Sequence, residues 1–235
     1  MILEFASTEC LRPAICRQAW SSLRSHLKGV DWADCTLYLN IDLAPPTADV
    51  LDADDVIEAA KQVFGHVVVR VQDEPNFTRA VQWCWRKPTG SVLFYFQADW
   101  ELTEDIEILE LMHRLWSRCP PVDAVNLRAY YGPREARLCL SPVLLQSHVA
   151  RALADRMVDD VGPEAQLRAP SFRDVGRSLG VGLCSLHWPE GHDRIVVRDI
   201  GRKWLDGEGL VRRGGDGFTT WAPMEDEMRA RGLMK

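Results

Sequence analysis

The sequence predicts a doubly wound α/β domain, a three-layer α/β/α arrangement around a mostly parallel central sheet. In the first half of the chain, short and nearly continuous apolar runs alternate with longer segments of helical periodicity. Strands that are apolar on both faces are typical of a parallel sheet covered by helices. Hydrophobic residues make up 46% of the chain and charged residues 26%, which is ordinary for a globular protein with a sizeable core.

Apolar runs rich in β-branched and aromatic residues are predicted as strands. In chain order these are residues 2–6, 36–41, 67–71, 91–96 and 122–127. Apolar side chains at helical spacing predict helices over residues 12–27, 52–64, 76–85 and 103–116. Asp52 or Asp54 can cap the second helix, and Asp99 or Thr103 the fourth. Trp20 and Trp116 follow helical patterns and are expected in the core.

Beyond about residue 130 the pattern is irregular and predicts no further elements. Residues 212–217 have the composition of a mobile loop. The chain has no internal repeat and no low-complexity linker, so a single domain over residues 1–235 is expected.

Charge and cysteine content exclude several classes of protein. The net charge of -6 provides no general attraction to nucleic acid or anionic membrane. The seven cysteines are odd in number and form no CxxC pair, which argues against a disulfide framework or zinc ribbon and for a reducing compartment. No leader and no run long enough to span a membrane are recognised, so a cytoplasmic location is expected.

Polar residues follow the predicted strands at the edge where open α/β sheets bind ligands. They are Ser7, Thr8 and Arg12 after the first strand, Asp42 after the second, Asp73 and Asn76 after the third, and Asp99 and Glu101 after the fourth. Neither a GxGxxG nor a GxxxxGK[ST] motif is present, so dinucleotide and P-loop sites lose their main support.

Asp99 and Glu101 place two carboxylates one residue apart at the end of a strand. Both can approach one hard divalent ion, and Mg²⁺ or Mn²⁺ prefers such ligands while keeping positions for phosphate oxygens. The alternative is a solvated helix start, in which Asp99 caps the helix and Glu101 lies near the positive end of its dipole.

Several segments together resemble the GT-A glycosyltransferases, in particular a group of small bacterial and phage glycosyltransferase-like proteins related to family 2. The run FYFQADWEL at residues 94–102 resembles their DxD-bearing strand end, which reads EDDW in that group. The likeness extends to Arg12-Pro13 and to the segments at residues 36–42, 75–85 and 199–204. It implies a GT-A, Rossmann-like fold with a nucleotide-binding half, residues 1–105, and an acceptor-binding half with a C-terminal lid, residues 106–235.

The resemblance implies a nucleoside-diphosphate sugar as donor and Mn²⁺ or Mg²⁺ as cofactor. Asp42 matches the aspartate that contacts the nucleobase or ribose, and Asp99 matches the aspartate on the metal side. The other residues assigned to the nucleotide sugar in the first half are Thr8, Arg12, Asn76 and Arg79. Gln97 and Ala98 depart from the group, where acids are expected, although Glu101 could restore a second carboxylate.

In the second half, the resemblance assigns the catalytic role to Glu164 in the segment GPEAQLR at residues 162–168. Such an acid acts as a general base on the acceptor hydroxyl; the alternative is a helix-start glutamate stabilised by the dipole. Arg202 could clamp the diphosphate and Trp204 could cover the sugar. His192 is a candidate third metal ligand.

The leading hypothesis is transfer of a hexose or similar sugar to a hydroxyl acceptor, which could be a glycan, a lipid-linked sugar, a protein or a modified base in phage DNA. For DNA, the arginines and lysine of the C-terminal stretch could form a local phosphate patch: Arg198, Arg202, Lys203, Arg212 and Arg213. A degenerate domain that binds nucleotide without turnover is the second hypothesis, favoured by Ala98. A nucleotidyltransferase is the third, although residues 7–10 do not form its glycine-rich loop.

Overall fold

A computed structural model of the protein describes residues 2–43, 53–72, 74–117, 122–127, 138, 140–169, 172, 185–187, 195–201, 210–215 and 218–223. The strands are β1 (Leu3–Cys10), β2 (Leu27–Lys28), β3 (Thr36–Asp42), β4 (His66–Gln72), β5 (Val92–Phe96), β6 (Trp100–Leu102), β7 (Ile106–Glu107), β8 (Ala124–Asn126), β9 (Val143–Gln146), β10 (Ser185–His187), β11 (Val197–Asp199), β12 (Leu210–Gly215) and β13 (Phe218–Pro223). The helices are α1 (Pro13–His26), α2 (Ala53–Lys61), α3 (Phe77–Arg86), α4 (Ile108–Trp116), α5 (Ser147–Ala154) and α6 (Pro163–Arg168).

Seven strands form the central sheet in the order β10-β8-β9-β5-β1-β3-β4. Strand β1 pairs in parallel with β3 and with β5, so that Ser7 lies opposite Leu39 on one side and Phe96 on the other. Strand β4 continues the parallel pairing beside β3, whereas β9 runs antiparallel to both β5 and β8. Six strands therefore point the same way, and the carboxyl ends of β1, β3, β4 and β5 meet at one edge.

Helices cover both faces of this sheet, and each face has its own apolar core. On one side Phe5 of β1 belongs to a cluster with Trp20 of α1 and Phe64. On the other side Tyr95 of β5 packs with Trp85 of α3, their ring centroids 5.8 Å apart. The predicted three-layer α/β/α fold with a mostly parallel sheet is confirmed.

Two helices begin directly above the carboxyl edge of the sheet. Pro13 opens α1, where its fixed φ suits the first helical position and its missing N–H is not needed. Asn76 caps α3 by accepting the backbone N–H of Arg79 at 3.0 Å through its side-chain oxygen. These starts place two helix N-termini beside the strand ends that carry the polar residues.

The strands and the first three helices predicted from the sequence are all present, but the first strand is longer than predicted. Strand β1 continues to Cys10 because residues as late as Glu9 and Cys10 still pair with Ile41 and Asp42 of β3. Thr8 therefore lies within the strand and not beyond it, which corrects the sequence-based position.

The predicted helix over residues 103–116 was wrong in its first turn, because α4 begins only at Ile108. The preceding residues pair with distant strands: Leu102 of β6 lies opposite Val197 of β11, and Ile106 of β7 lies opposite Leu27 of β2. Thr103 also donates its hydroxyl to the carbonyl of Ile195. Neither Asp99 nor Thr103 is a helix cap, because long-range strand pairing outweighs local helical propensity here.

Trp20 is fully buried, as predicted, but the prediction that Trp116 is a core residue was wrong, because 42% of Trp116 is exposed. Helix α4 buries the face formed by Ile108, Leu111, Met112 and Leu115. This face has the i, i+3, i+4, i+7 spacing of an amphipathic helix. Trp116 falls one residue beyond it.

Apart from the helix start proposed at Glu164, which is the first turn of α6, the second half of the chain contains elements that were not predicted. Helices α5 and α6 follow strand β9, and the predicted loop at residues 212–217 is largely strand β12, which pairs with β13 in an antiparallel ribbon. Among the described residues, no helix has both the length and the apolar character needed to cross a membrane.

Helix α4 offers a matched test of the buried face. Leu111→Ala is expected to lower the free energy of unfolding by about 2–5 kcal/mol, because Leu111 is fully buried. Leu109→Ala is expected to change it by less than about 0.5 kcal/mol, because 65% of Leu109 is exposed. Urea denaturation of both variants measures the difference, and equal losses would contradict the assigned helix face.

Candidate functional site

Polar side chains collect at the edge where β1, β3, β4 and β5 end. Successive side chains of a strand point to opposite faces, so these residues divide into two groups. The group on the face covered by α1 consists of Ser7 and Glu9, and the group on the face covered by α3 consists of Thr8, Asn40, Asp42 and Gln72. All six are buried, with at most 8% of each exposed.

Glu9 is the centre of the first group. One carboxyl oxygen accepts the hydroxyl of Ser7 and the backbone N–H of Ala98, the latter at 2.6 Å. The other oxygen lies 3.6 Å from the thiol of Cys16. Burial raises the pKa of Glu9 to about 8, against the opposing effect of the nearby Arg12 guanidinium. The carboxyl group therefore ties β1 to the segment that follows β5.

Arg12 is the N-cap residue of α1 and is 5% exposed. Burial by itself would lower its pKa, but the acidic groups around it raise the pKa above its ordinary value; Cys10, Asp99 and Glu9 contribute in that order. Its positive charge is consequently held in the interior near two carboxyl groups. Arg12, predicted as a nucleotide-sugar ligand, thus balances the charge of buried acids at the site, and its contact with a ligand stays a prediction.

Asp99 follows β5 after Gln97 and Ala98, and its backbone is held by the segment after β11. Its carbonyl oxygen accepts the N–H of Ile200 at 2.7 Å and that of Gly201 at 3.3 Å. A Cβ atom on residue 201 would lie 2.5 Å from the Cβ of Asp99. Only glycine therefore allows this close approach without a shift of the backbone.

Glu101, the second predicted metal ligand, is 6% exposed and engaged by protein donors on both oxygens. One oxygen accepts the guanidinium of Arg198 across the β6–β11 ribbon, and the other accepts the side-chain amide of Gln18 at 2.8 Å. To bind a metal, Glu101 would have to give up this ion pair. The same contact occupies Arg198, one member of the proposed phosphate patch.

The side chains that could bind a metal at this edge fit an ion held by few protein ligands. Within the described part of the chain, no group of three or more His, Cys, Asp or Glu residues could hold a metal, and His192 lies outside the described residues. Of the two carboxylates predicted as metal ligands here, Glu101 is engaged by Arg198. Mg²⁺-type ions are commonly bound by one or two carboxylates plus substrate phosphates, which suits Asp99 but not a dedicated protein cage.

Asp42 is the centre of the second polar group. Its carboxylate accepts the side-chain amide of Asn40 at 2.9 Å and the backbone N–H of Asn76 at the start of α3. Burial raises the pKa of Asp42 to about 6, although these hydrogen bonds and the charge of Arg70 oppose the shift. The acid predicted to contact a nucleobase or ribose thus lies at the N-terminus of α3.

Three further predicted nucleotide-sugar residues are engaged in protein contacts. Besides capping α3, Asn76 donates its amide to the carbonyl of Asp159 at 3.3 Å. Arg79 forms an ion pair with Asp159, their side-chain atoms 2.7 Å apart. Thr8 shares a hydrogen bond of 2.8 Å with the hydroxyl of Tyr95. Their contacts with a ligand stay predictions.

Glu164 lies in the first turn of α6 and is exposed. The residues before α6 contact the first turn of α3, because Thr78 donates its hydroxyl to the carbonyl of Val161 at 2.7 Å. Glu164 therefore lies beside the helix that starts at the site edge, and its catalytic role stays a prediction. Arg202 and Trp204 lie outside the described residues.

Glu9 is the site residue that sequence reasoning missed. The alternation of side chains along a strand could have revealed it. If β1 continues beyond Ala6, Glu9 falls on the same face as the apolar Phe5, which is the face covered by α1. An acid at such a position has to be paired or neutral, because an isolated buried charge is costly. The early end assigned to the first strand hid this pattern.

The chain has the GT-A fold, because its α/β architecture matches that of solved GT-A glycosyltransferases. The mannosyltransferase PcManGT from Pyrobaculum calidifontis, in complex with GDP-Man and Mn²⁺, matches with a TM-score of 0.55 and 11% identity over 80% of this chain. Residues 1–349 of S. aureus TarS match with a TM-score of 0.53 and 10% identity over 84% of this chain. A complex of the same TarS fragment with UDP matches similarly, with a TM-score of 0.52.

At this level of identity the likeness concerns the fold. The chain spans 55% of the length of PcManGT and 60% of that of the TarS fragment. No protein-family model matches the sequence, and no curated protein matches it.

The raised pKa values of Glu9 and Asp42 predict that stability falls as the pH rises. Between about pH 5 and 8 the folded protein keeps protons that the unfolded chain releases, so the free energy of unfolding decreases across this range. Glu9→Gln removes the larger of the two contributions to this decrease. It is expected to make the decrease between about pH 5 and 8 smaller by roughly 1–3 kcal/mol. Urea denaturation at a series of pH values measures both slopes. Identical slopes in the two proteins would contradict the shift assigned to Glu9.

Proposed function

We propose that the protein transfers a sugar from a nucleoside-diphosphate donor to a hydroxyl acceptor. The observation that carries the proposal is the convergence of Asp42 and Asp99 at the carboxyl edge of a GT-A sheet, where open α/β sheets bind ligands. The solved structures of this fold support it: PcManGT was solved with GDP-Man and Mn²⁺, and the TarS fragment with UDP.

Each proposed role follows from the chemistry of the residue. Asp42 would accept hydrogen bonds from the nucleobase or ribose, and Asn76 and Arg79 at the start of α3 would lie near the same ligand. Asp99 would hold Mn²⁺ or Mg²⁺ together with phosphate oxygens. The bound ion would neutralise the charge that develops on the leaving diphosphate.

The proposed donor site is completed by Thr8 of β1 and Arg12, which follows it, and by Arg202 and Trp204 of the C-terminal segment. Arg12 supports it through the electrostatics of the buried edge, and Arg202 would pair directly with the diphosphate. Glu101 and His192 are proposed as additional metal ligands; Glu101 would exchange Arg198 for the ion.

Glu164 is the proposed general base, because it is an exposed carboxylate beside the helix that starts at the site. The acceptor oxygen forms the new bond to the anomeric carbon, and the bond from that carbon to the diphosphate oxygen breaks. The proton of the acceptor hydroxyl moves to Glu164. The acceptor could be a glycan, a lipid-linked sugar, a protein or a modified DNA base, and the proposed setting is the cytoplasm of a bacterium or phage host.

A domain that binds nucleotide without catalysis is the second candidate. The ion pair between Glu101 and Arg198 favours it, because it removes one of the two carboxylates expected to hold the ion. Such a domain would show ligand binding without turnover of the donor.

Metal-dependent binding at Asp99 is tested by thermal shift with UDP, GDP and their sugars, with and without Mn²⁺. A ligand at 100 times its dissociation constant is expected to raise the melting temperature of the wild type by roughly 5–10 °C. Asp99→Asn should lose the Mn²⁺-dependent part, because the carboxylate that holds the ion is gone. Asp105→Asn is the control, since Asp105 is an exposed carboxylate paired with His26. Absence of any nucleotide response in the folded wild type would refute the proposed function.

Catalysis is separated from binding by the variant Glu164→Gln. It is expected to keep the nucleotide thermal shift and to slow turnover of the donor, with water as acceptor, by roughly 10²–10⁴-fold. Glu110→Gln, an exposed glutamate of α4, serves as control. Nucleotide binding with no turnover by the wild type would favour the non-catalytic candidate.

A further inference from the structure

Strand β1 carries two buried glutamates, one at each end of its pairing with β5. Glu4 accepts the backbone N–H of Gly90, just before β5, and the hydroxyl of Tyr38 at 2.9 Å. Glu9 accepts the backbone N–H of Ala98, just after β5. The two carboxyl groups thus hold the two ends of the same neighbouring strand to β1, but only the second does so at the ligand edge.

The surroundings of Glu9 fix its carboxyl group in one orientation. Ser7, two residues earlier on the same face of β1, donates its hydroxyl to the oxygen that also accepts the Ala98 N–H. Cys16 of α1 contacts the other oxygen. Only 2% of Glu9 is exposed. An apolar side chain would fill this position at lower desolvation cost, so packing alone does not explain the acid.

The bond from Glu9 acts on the residue directly before Asp99. Ala98 is fully buried and held through its N–H, while the carbonyl of Asp99 is held by the N–H of Ile200. Hydrogen bonds therefore hold the backbone just before and just after the peptide unit that joins the two residues. Gly201 closes the remaining space against the Asp99 Cβ.

We propose that Glu9 is the positioning residue of the site, which aims the Asp99 carboxylate by anchoring the backbone of Ala98. The inference rests on the proposed function in that Asp99 is the metal and diphosphate ligand. Supporting groups of this kind commonly change metal affinity by roughly 10–100-fold when they are removed.

The experiment compares Glu9→Leu with Glu4→Leu, the same change at the other end of the same strand. The first readout is hydrogen exchange of the backbone amides of Ala98 and Gly90, followed by NMR and corrected for global stability. The second is binding of UDP and GDP in the presence and absence of MnCl₂, followed by calorimetry. Glu9→Gln is the conservative variant, because its side-chain oxygen can still accept the Ala98 N–H.

Glu9→Leu is expected to speed exchange at Ala98 by roughly tenfold or more and to weaken Mn²⁺-dependent nucleotide binding by roughly 10–100-fold. Glu9→Gln should retain most of the protection of the Ala98 amide and most of the Mn²⁺-dependent nucleotide binding. Glu4→Leu should speed exchange at Gly90 and leave the Mn²⁺-dependent part of binding unchanged. If Glu9→Leu does not fold, Ser7→Ala replaces it, because it removes the hydroxyl that orients the carboxyl group.

Unchanged exchange at Ala98 in Glu9→Leu would overturn the inference, and so would an equal loss of Mn²⁺-dependent binding in Glu4→Leu. A wild type that binds neither nucleotide would refute the proposed function instead. In that case the exchange rate of Ala98 alone decides whether Glu9 anchors the segment before Asp99.

Discussion

Parallel pairing of β1 with β3 and β5 is the constraint on which the site depends. It brings Glu9, Asp42 and the segment leading to Asp99 to one edge, although these residues are far apart in the sequence. Because these strands point the same way, the helices that follow β1 and β4 both begin at this edge: α1 on one face of the sheet and α3 on the other. Two helix N-termini, whose N–H groups favour negatively charged ligands, thereby lie at the same edge as these acids.

Burial of these acids has an electrostatic cost, and the structure offsets it differently on the two faces. On the α1 face Glu9 is accommodated by hydrogen bonds and by the guanidinium of Arg12, and its pKa is still raised to about 8. On the α3 face Asp42 accepts the backbone N–H of Asn76 and the side-chain amide of Asn40, and its pKa is raised to about 6. Acids with raised pKa values are typical of functional sites in proteins.

The sequence predicted the positions of the acids at the strand ends better than it predicted their contacts. Asp42 and Asp99 could be identified as strand-end acids because parallel strands present their ends at one edge. The contact of Glu101 with Arg198 could not, because it joins residues 97 positions apart in a ribbon whose second strand had no recognisable pattern. The delayed start of α4 has the same origin, since pairing with β2 and β11 overrode a local helical pattern.

By itself, the sequence determined the alternation of strands and helices, the three-layer fold and the acids at the strand ends, because these follow from local periodicity and from the direction of parallel strands. Tertiary structure alone decided that β1 extends to Cys10, that Glu9 binds the Ala98 N–H, and that Gly201 packs against Asp99. Each of these depends on which distant backbone approaches a residue, and that is set by the packing of the whole sheet and not by the neighbours of the residue in the chain.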